Sequence, residues 1–306
     1  MSKLLKVTSS PHIRHIDSTC GIMSDVIIAL LPAAIYGCIL FKWDAVFVLI
    51  TTIVTAVAVE ALWNLALHKN QTIGDLSAVL TGLLLGMNLS SKTPLWIAAI
   101  GSVVAIIVVK QMFGGLGFNF ANPAMTARIV LLVSFARQMS DYVSPIDVQT
   151  SATPLAREAT FTLKELFFGM HGGAIGETSS FLLIIGGIYL VLRRVIKPII
   201  PVAFIGTVAV ASIIANPQEI ALSVFGGGLM LGAIFMATDY VTTPTTNLGK
   251  LIFGIGCGLI TFVIRQFGSL PEGVSYAILL MNILTPHINR LTLSKPFGSR
   301  EVAKNE

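Results

Sequence analysis

Charged residues are scarce in this sequence. Of its 306 residues only 11% are charged, while 54% are hydrophobic. A soluble domain carries about 25% charged residues, because its surface faces water. The shortage excludes an ordinary soluble domain for most of the chain and indicates a protein that crosses a lipid bilayer several times.

Cysteine is also rare, and no metal-binding pattern is present. Cys20, Cys38 and Cys257 lie far apart, with no Cys-x-x-Cys pair and no Cys/His cluster. This spacing argues against a zinc or iron–sulfur site held by this chain alone and predicts small apolar packing residues. The polar, basic residues 1–20 lack a small-residue cleavage site, so no removable signal peptide is expected.

Long apolar runs account for most of the chain. A helix that spans the hydrocarbon core needs about 20 apolar residues. Six segments approach that length, namely Ile22–Phe41, Ala45–Leu67, Leu95–Phe113, Ile199–Ala215, Ile220–Met236 and Leu251–Phe267. Four are shorter, namely Leu76–Leu89, Pro123–Phe135, Phe181–Leu192 and Val274–Ile288. The pattern predicts an all-α polytopic membrane protein with about ten transmembrane helices, the short ones tilted, extended by polar residues that face the bundle, or broken.

The distribution of Lys and Arg predicts the orientation. With the N-terminus inside and the segments alternating, thirteen of these residues fall inside and six outside, with Arg128 within a helix and not counted. Positive charge accumulates on the cytoplasmic side of membrane proteins. We therefore expect a multi-pass protein of the cell inner (cytoplasmic) membrane, with both termini cytoplasmic and the loop after residue 137 extracytoplasmic.

The two halves of the chain resemble each other. "GLLLGMNLSSKTP" (Gly82–Pro94) is echoed by "GLMLGAIFMATDYVTTP" (Gly228–Pro244) about 150 residues later. Five helices per half is an odd number, which predicts two inverted repeats with functional sites near their interface. The expected division is a cytoplasmic tail (1–21), a first repeat (22–138), an extracytoplasmic loop (139–180), a second repeat (181–288) and a cytoplasmic tail (289–306).

Polar residues cluster in "GGLGFNFANPAMTAR" (Gly114–Arg128). Gly114 and Gly115 allow close backbone approach, and Asn119 and Asn122 can hydrogen-bond exposed backbone. Asn122-Pro123 has the pattern of a helix N-cap and first residue, and a helix N-terminus suits a phosphate or a flavin carbonyl. A plain tight re-entrant turn is the alternative.

The related segment "FMATDYVTTPTTNLGK" (Phe235–Lys250) carries Asp239, Thr242 and Thr243. An acidic residue at membrane depth indicates a functional site, whereas one at the interface can simply cap a turn, and both interpretations stay open. For Asp25 and Glu60 we weigh an ion path against a position at a helix end, and favour the helix end.

The longest polar stretch contains "DVQTSATPLA" (Asp147–Ala156). Its Ser, Thr and Pro residues are ordinary turn chemistry, and composition predicts no more than a turn. Its position in the predicted extracytoplasmic loop gives it significance only in combination with the other motifs.

These motifs together resemble those of the D subunits of the Rnf complex, an ion-translocating ferredoxin:NAD oxidoreductase. They are also similar to those of the B subunits of the sodium-pumping NADH:quinone reductase. The matching segments are "GGLGFNFANPAMTAR", "TSATPLA", "MATDYVTTPTT", "GKLIFGIGCGLITFVIRQFG" and "PEGVSYAILLMNILTP", in order over about two-thirds of the chain.

The resemblance implies FMN on a threonine side chain, through a phosphoester bond. The family pattern is Ser or Thr, any residue, Ala and then the modified Thr, which points to Thr153 preceded by Ser151 and Ala152. Ser151 stands where Gly is commoner. A separate flavin transferase would attach the FMN. For Arg157, four residues on, we weigh a role in favouring an anionic flavin against a solvated charge.

The resemblance also implies cofactors and partners beyond Thr153. Riboflavin, bound non-covalently, is a second candidate cofactor. FMN on Thr153 would accept electrons from a flavoprotein subunit, and the chain would couple electron flow to Na⁺ or H⁺ export. Iron–sulfur and NAD-binding sites would lie on other membrane and peripheral subunits, with the basic tail from Arg290 to Lys304 docking the NAD-binding one. The bilayer is the remaining partner, and no nucleic acid is expected.

Two other functions use the same architecture. A passive channel or secondary transporter also suits inverted five-helix repeats, and fold alone does not assign function. A scaffold subunit without flavin would accompany redox partners. The motif around Thr153 favours the redox function, because a channel needs no flavin.

Overall fold

The computed structural model describes residues 18–142, 163–169, 172–268 and 273–293. Every regular element in these ranges is helical, and no β-strand occurs among them. The all-α prediction is therefore confirmed. Within the described part of the chain, Thr19–Ala66 and Asn247–Phe267 are the two helices long and apolar enough to cross a membrane by the criterion of 18 residues, and five further apolar helices are shorter.

The first helix, α1, covers Thr19–Ala66 and is divided at Lys42, whose φ of 56° and ψ of −143° are not helical. The two parts coincide with the first two predicted apolar segments. Ser18 caps the N-terminus by accepting a hydrogen bond from the Gly21 backbone N–H at 3.1 Å. The aromatic and charged sequence "FKWD" around Lys42 thus separates two membrane-length helices.

The remaining helices of the first half are short. They are α2 (Ser77–Met87), α3 (Leu95–Val103), α4 (Pro123–Ser134) and α5 (Ala136–Met139), with a 3₁₀ turn at Ile73–Asp75. The α3 helix continues as a π-helix over Val104–Gln111, a rare form that is frequent at functional sites. Glycines place α2 directly on α1, because a Cβ added at Gly82 would lie 2.7 Å from the Ile53 Cα.

The described residues of the second half form seven α-helices and a second π-helix. They are α6 (Leu163–Phe168), α7 (Ser180–Leu192), α8 (Ile199–Ala215), α9 (Ile220–Phe225), α10 (Leu229–Leu231), the π-helix Gly232–Met236, α11 (Asn247–Phe267) and α12 (Val274–Thr292). There are 3₁₀ turns at Ile175–Glu177 and Pro217–Glu219. Small residues bring α11 against α8, where a Cβ added at Gly254 would lie 2.7 Å from that of Ala203.

One predicted span differs from the structure. The segment Ile220–Met236 is not one helix, because it breaks between α9 and α10 at three consecutive glycines, where Gly227 and Gly228 have φ of 65° and 68°. The Arg265 guanidinium donates to the carbonyls of Ser223, Gly226 and Gly227 at 2.6, 3.2 and 2.9 Å, and so satisfies the backbone that the break exposes. The number of spans and the two inverted repeats stay predictions.

Candidate functional site

A cavity of about 110 Å³ lies between the start of α1, α2, the loop before α4 and the segment after the second π-helix. Its wall is mostly apolar, with Leu84, Leu116 and Phe235 among the lining residues. Eight side chains that can form polar contacts also line it, namely Ser77, Thr81, Lys110, Asn119, Asn122, Thr238, Asp239 and Tyr240. An apolar cavity with a few converging polar groups is typical of a cofactor or ligand site.

The loop before α4 supplies Asn119 and Asn122, as the sequence predicted. The Asn122 side chain accepts from the backbone N–H groups of Ala124 and Met125 at 3.0 and 3.3 Å, which confirms it as the N-cap of α4. Because Asn122 already occupies these N–H groups, they are not available to a phosphate, contrary to our expectation for this helix end. The Asn119 amide donates to the Ala121 carbonyl at 3.1 Å.

The segment after the second π-helix supplies Asp239. Its carboxylate accepts from the Val241 backbone N–H at 3.4 Å and from the Thr242 hydroxyl at 3.2 Å, and it also interacts with the Asn119 side chain. Asp239 therefore caps a turn and lines the cavity at the same time, so the two interpretations of this residue are compatible. Thr243 donates to the Asp239 carbonyl at 2.8 Å.

Asn282 of α12 links the two polar segments. With its amide turned so that the nitrogen faces the Thr242 carbonyl, it donates there at 3.3 Å and accepts from the Asn122 backbone N–H at 3.1 Å, which satisfies both atoms. The Asn122 amide donates to the Met236 carbonyl at 3.2 Å, at the end of the second π-helix. Residues more than 100 positions apart in sequence are thus held in one hydrogen-bonded layer behind the cavity.

A buried ion pair forms another side of the site. Lys110 Nζ lies 2.8 and 3.0 Å from the two Glu60 carboxylate oxygens and donates to the Ser77 hydroxyl at 2.6 Å. Thr72 and Gln111 also donate to Glu60, at 2.6 and 3.2 Å. Glu60 and Lys110 are 1% and 2% exposed, which shows that Glu60 does not reach solvent from a helix end, contrary to our expectation. The first π-helix carries both Lys110 and Gln111 into this cluster.

A second buried charge pair lies where α2 ends. Arg128 of α4 donates to the side-chain oxygen of Asn88 at 2.5 Å, and its guanidinium lies 3.6 Å from the Glu177 carboxylate. The Asn88 amide nitrogen in turn lies 3.4 Å from the sulfur of Met236. The ends of α2 and of the second π-helix therefore meet in a polar, buried layer.

The structure brings only some of the predicted site residues to the cavity. Asn119 and Asn122 line it, and Thr242 contacts it through Asp239. Gly114 and Gly115 have φ of 121° and 98° and shape the same loop, but they are not part of the lining. Ser151, Ala152 and Thr153 lie outside the described residues.

Sequence reasoning did not select Lys110, Asn88 or Glu177. Their partners lie 50, 40 and 49 positions away, at distances that no periodicity or motif spacing indicates. The sequence did contain a signal for Lys110, because it is the only basic residue in the apolar segment Leu95–Phe113. Charged residues inside such segments are rare unless they are paired. For Asp25 the expected position near a helix end agrees with its contacts, since it accepts from Arg193 and Tyr189 at 3.1 and 2.9 Å.

Comparison with known proteins assigns the family. The model of the NQR2, RnfD, RnfE family matches residues 6–298. The chain is 45% identical over 311 residues to the D subunit of the Na⁺-translocating ferredoxin:NAD⁺ oxidoreductase complex of Acetobacterium woodii, covering 98% of this chain and 97% of that one. It is 41% identical over 321 residues to the D subunit of the proton-translocating ferredoxin:NAD⁺ oxidoreductase complex of Clostridium ljungdahlii, covering 97% of each.

A third relative comes from an ion-translocating oxidoreductase complex. The chain is 38% identical over 323 residues to the D subunit of that complex in Stutzerimonas stutzeri, with 90% of this chain and 91% of that one covered. The matches extend over nearly the whole length, including both polar segments that form the cavity wall. This chain therefore belongs to the NQR2, RnfD, RnfE family, as the Rnf-type motifs of the sequence predicted.

Proposed function

We propose that this chain is the membrane electron-carrier subunit of an ion-translocating ferredoxin:NAD⁺ oxidoreductase. The proposal rests on the near full-length similarity to the D subunits of two such complexes, at 45% and 41% identity. The chain passes electrons across the membrane and acts only within the complex, coupled to Na⁺ or H⁺ export. One of these relatives is named for Na⁺ and the other for protons, so both ions stay in the proposal.

FMN bound covalently to Thr153 is the central part of this proposal. The sequence Thr150-Ser151-Ala152-Thr153 supports it, together with the position of this motif in the predicted extracytoplasmic loop. A covalent link keeps a flavin in place where no cytosolic pool can replace it. The flavin would supply one- and two-electron chemistry, while the protein sets its position and surroundings.

A second, non-covalent flavin such as riboflavin is proposed for the cavity. The residues present fit an uncharged flat ring, because most of the wall is apolar and its polar groups are few. The Asn119 side-chain oxygen and the Asn122 amide N–H that is not bonded to Met236 could hold the polar edge of such a ring, and Asp239 and Thr242 lie beside them. Lys110 is held by Glu60 and Ser77, so its charge is already neutralised at this wall.

In-gel flavin fluorescence under denaturing conditions tests the covalent flavin. The chain is expressed with an active flavin transferase as wild type, as Thr153→Ala and as Thr160→Ala, a threonine in the same loop that serves as the matched control. We expect fluorescence in wild type and Thr160→Ala and none in Thr153→Ala. A dark wild-type band, with the transferase active on another target, would favour the channel or scaffold functions.

The intact complex, purified with the wild-type chain or with its Thr153→Ala variant, tests the second flavin. After precipitation of the protein, the released flavin is measured in the supernatant, where only non-covalent flavin appears. The Thr153→Ala complex should still release flavin, and the additional change Asn119→Leu should remove it. Release that does not depend on Asn119 would mean that the second flavin is bound elsewhere in the complex.

A further inference from the structure

A second cavity opens beside the first on the predicted cytoplasmic side. It has a volume of about 140 Å³ and lies between the turn after α7, the start of α8, the segment after the second π-helix and the first turn of α11. Its lining contains three basic residues, Arg194, Lys197 and Lys250. The hydroxyl-bearing residues Thr238, Tyr240 and Thr243 line it as well. We name this cavity the basic cleft.

The basic cleft carries unbalanced positive charge. Within the part of the chain that the structure describes, no carboxylate pairs with Arg194, Lys197 or Lys250. The nearby Asp239 carboxylate is engaged by Val241, Thr242 and Asn119 and does not line the cleft. Arg193, next to Arg194 in sequence, is different because it pairs with Asp25 at 3.1 Å. The cleft therefore contains three basic side chains whose positive charge is not neutralised by a carboxylate among the described residues.

Two helix N-termini reinforce this charge. Lys197 Nζ donates to the Asn247 side chain at 3.1 Å, which holds the start of α8 next to the start of α11. The N-terminus of a helix has a positive partial charge and attracts anions within its first turn. The hydroxyls of Thr238, Tyr240 and Thr243 already donate to backbone carbonyls, so the three basic side chains and the two helix starts form the part of the cleft that is suited to a phosphate group.

The surroundings of the cleft indicate where the phosphate comes from. On α11, Leu248, Leu251 and Ile252 are 59%, 42% and 42% exposed, and on α8 Val202 is 67% exposed. These apolar side chains follow directly from the turns that line the cleft and face outward from the helix pair. In a membrane protein such a surface meets acyl chains, and basic clefts at the cytoplasmic end of transmembrane helices bind anionic headgroups.

We propose that the basic cleft binds the phosphate group of an anionic phospholipid of the cytoplasmic leaflet. Arg194 and Lys250 are the principal ligands, and the acyl chains lie along Val202 and Leu251. The bound lipid would fix the turn after α7 to the start of α11, beside the proposed second flavin site. The proposal does not depend on that flavin, because the cleft has its own residues.

Native mass spectrometry of the delipidated complex tests the proposal, with phosphatidylglycerol and phosphatidylcholine as the added lipids. Because each basic group near a headgroup strengthens binding about fivefold, Arg194→Gln should weaken phosphatidylglycerol binding about fivefold and Arg194→Gln/Lys250→Gln about 25-fold. Arg193→Gln removes the same charge one residue away and is the matched control, with less than about a twofold effect expected. Arg194→Lys keeps the positive charge and should keep most of the affinity for phosphatidylglycerol. This result would show that the loss in Arg194→Gln comes from the missing charge and not from a disturbed fold.

Three results would overturn the proposal. The first is unchanged phosphatidylglycerol binding in the double variant that still elutes as an intact complex. The second is binding of inorganic phosphate with the same dependence on Arg194 and Lys250 while the lipid shows none, which makes free phosphate the ligand. The third is a bound flavin nucleotide instead of a bound lipid, if that flavin is lost in the double variant. The cleft would then hold the phosphate end of a nucleotide.

Discussion

Glu60 and Lys110 illustrate what one pair of residues contributes to this protein. Both are almost fully buried, and each has the other as its charged partner at 2.8 Å. Removing one partner of such a pair leaves an uncompensated charge in a low-dielectric interior, which costs about 3–5 kcal/mol. Removing both is much less costly, because no isolated charge stays behind.

We therefore predict that Lys110→Met lowers the free energy of unfolding by about 3–5 kcal/mol, measured by denaturation in mixed micelles. The double variant Glu60→Gln/Lys110→Met should recover most of this loss. Lys92→Met is the control, because the Lys92–Asp44 pair at 2.6 Å is about half exposed. An exposed pair contributes about 0–1 kcal/mol. Equal losses in Lys110→Met and Lys92→Met would contradict the buried-pair argument.

At the scale of whole helices, close packing depends on glycine. A Cβ added at Gly82 of α2 would lie 2.7 Å from the Ile53 Cα and 2.8 Å from the Thr52 carbonyl oxygen of α1. These are backbone atoms that cannot turn away, so the two helices would have to separate. At Gly206 of α8 the same addition meets nothing within 4 Å.

The expected consequence is an opposite response of two glycines to one substitution. Gly82→Ala should destabilise the protein by about 1–3 kcal/mol through overpacking. Gly206→Ala should be neutral or stabilise it by up to about 1 kcal/mol, since alanine favours the helix. Thermal unfolding in detergent, followed by size-exclusion chromatography, distinguishes the two. Similar unfolding temperatures for both variants would show that α1 and α2 can move apart at low cost, which would contradict the prediction.

At the scale of the whole molecule, the orientation in the membrane is open to a direct test. Cys20 is exposed at the start of α1, on the predicted cytoplasmic side, whereas Cys257 is buried. A membrane-impermeant maleimide should label Cys20 in inside-out vesicles and not in intact cells. With Cys20→Ser, a cysteine introduced by Lys92→Cys should show the reverse. Labelling of both positions from one side would refute the predicted topology.

Helix positions could be predicted from the sequence because hydrophobicity is a local property. The prediction for α8, Ile199–Ala215, agrees with the structure at both ends, and Asn122 is the N-cap that Asn-Pro indicated. The break inside Ile220–Met236 was missed, although "GGG" was visible, since apolar length alone does not reveal that Arg265 can satisfy the freed carbonyls. The pairing of Glu60 with Lys110 depends on how α1 and the first π-helix pack, which no local pattern encodes.

The meeting of α2 with the second π-helix at Asn88 and Met236 has an electrical consequence. The 11 residues of α2 extend about 16 Å, roughly half the thickness of the hydrocarbon core. Beyond its end the chain is polar, with Asn88, Ser90 and Thr93 all buried. If α2 starts at one face of the bilayer, its end at Asn88 lies near the middle of the hydrocarbon core, where a displaced charge senses the transmembrane voltage. An elementary charge that crosses the whole membrane exchanges about 2.3 kcal/mol with every 100 mV of potential, and a charge that moves only past Asn88 exchanges the corresponding fraction.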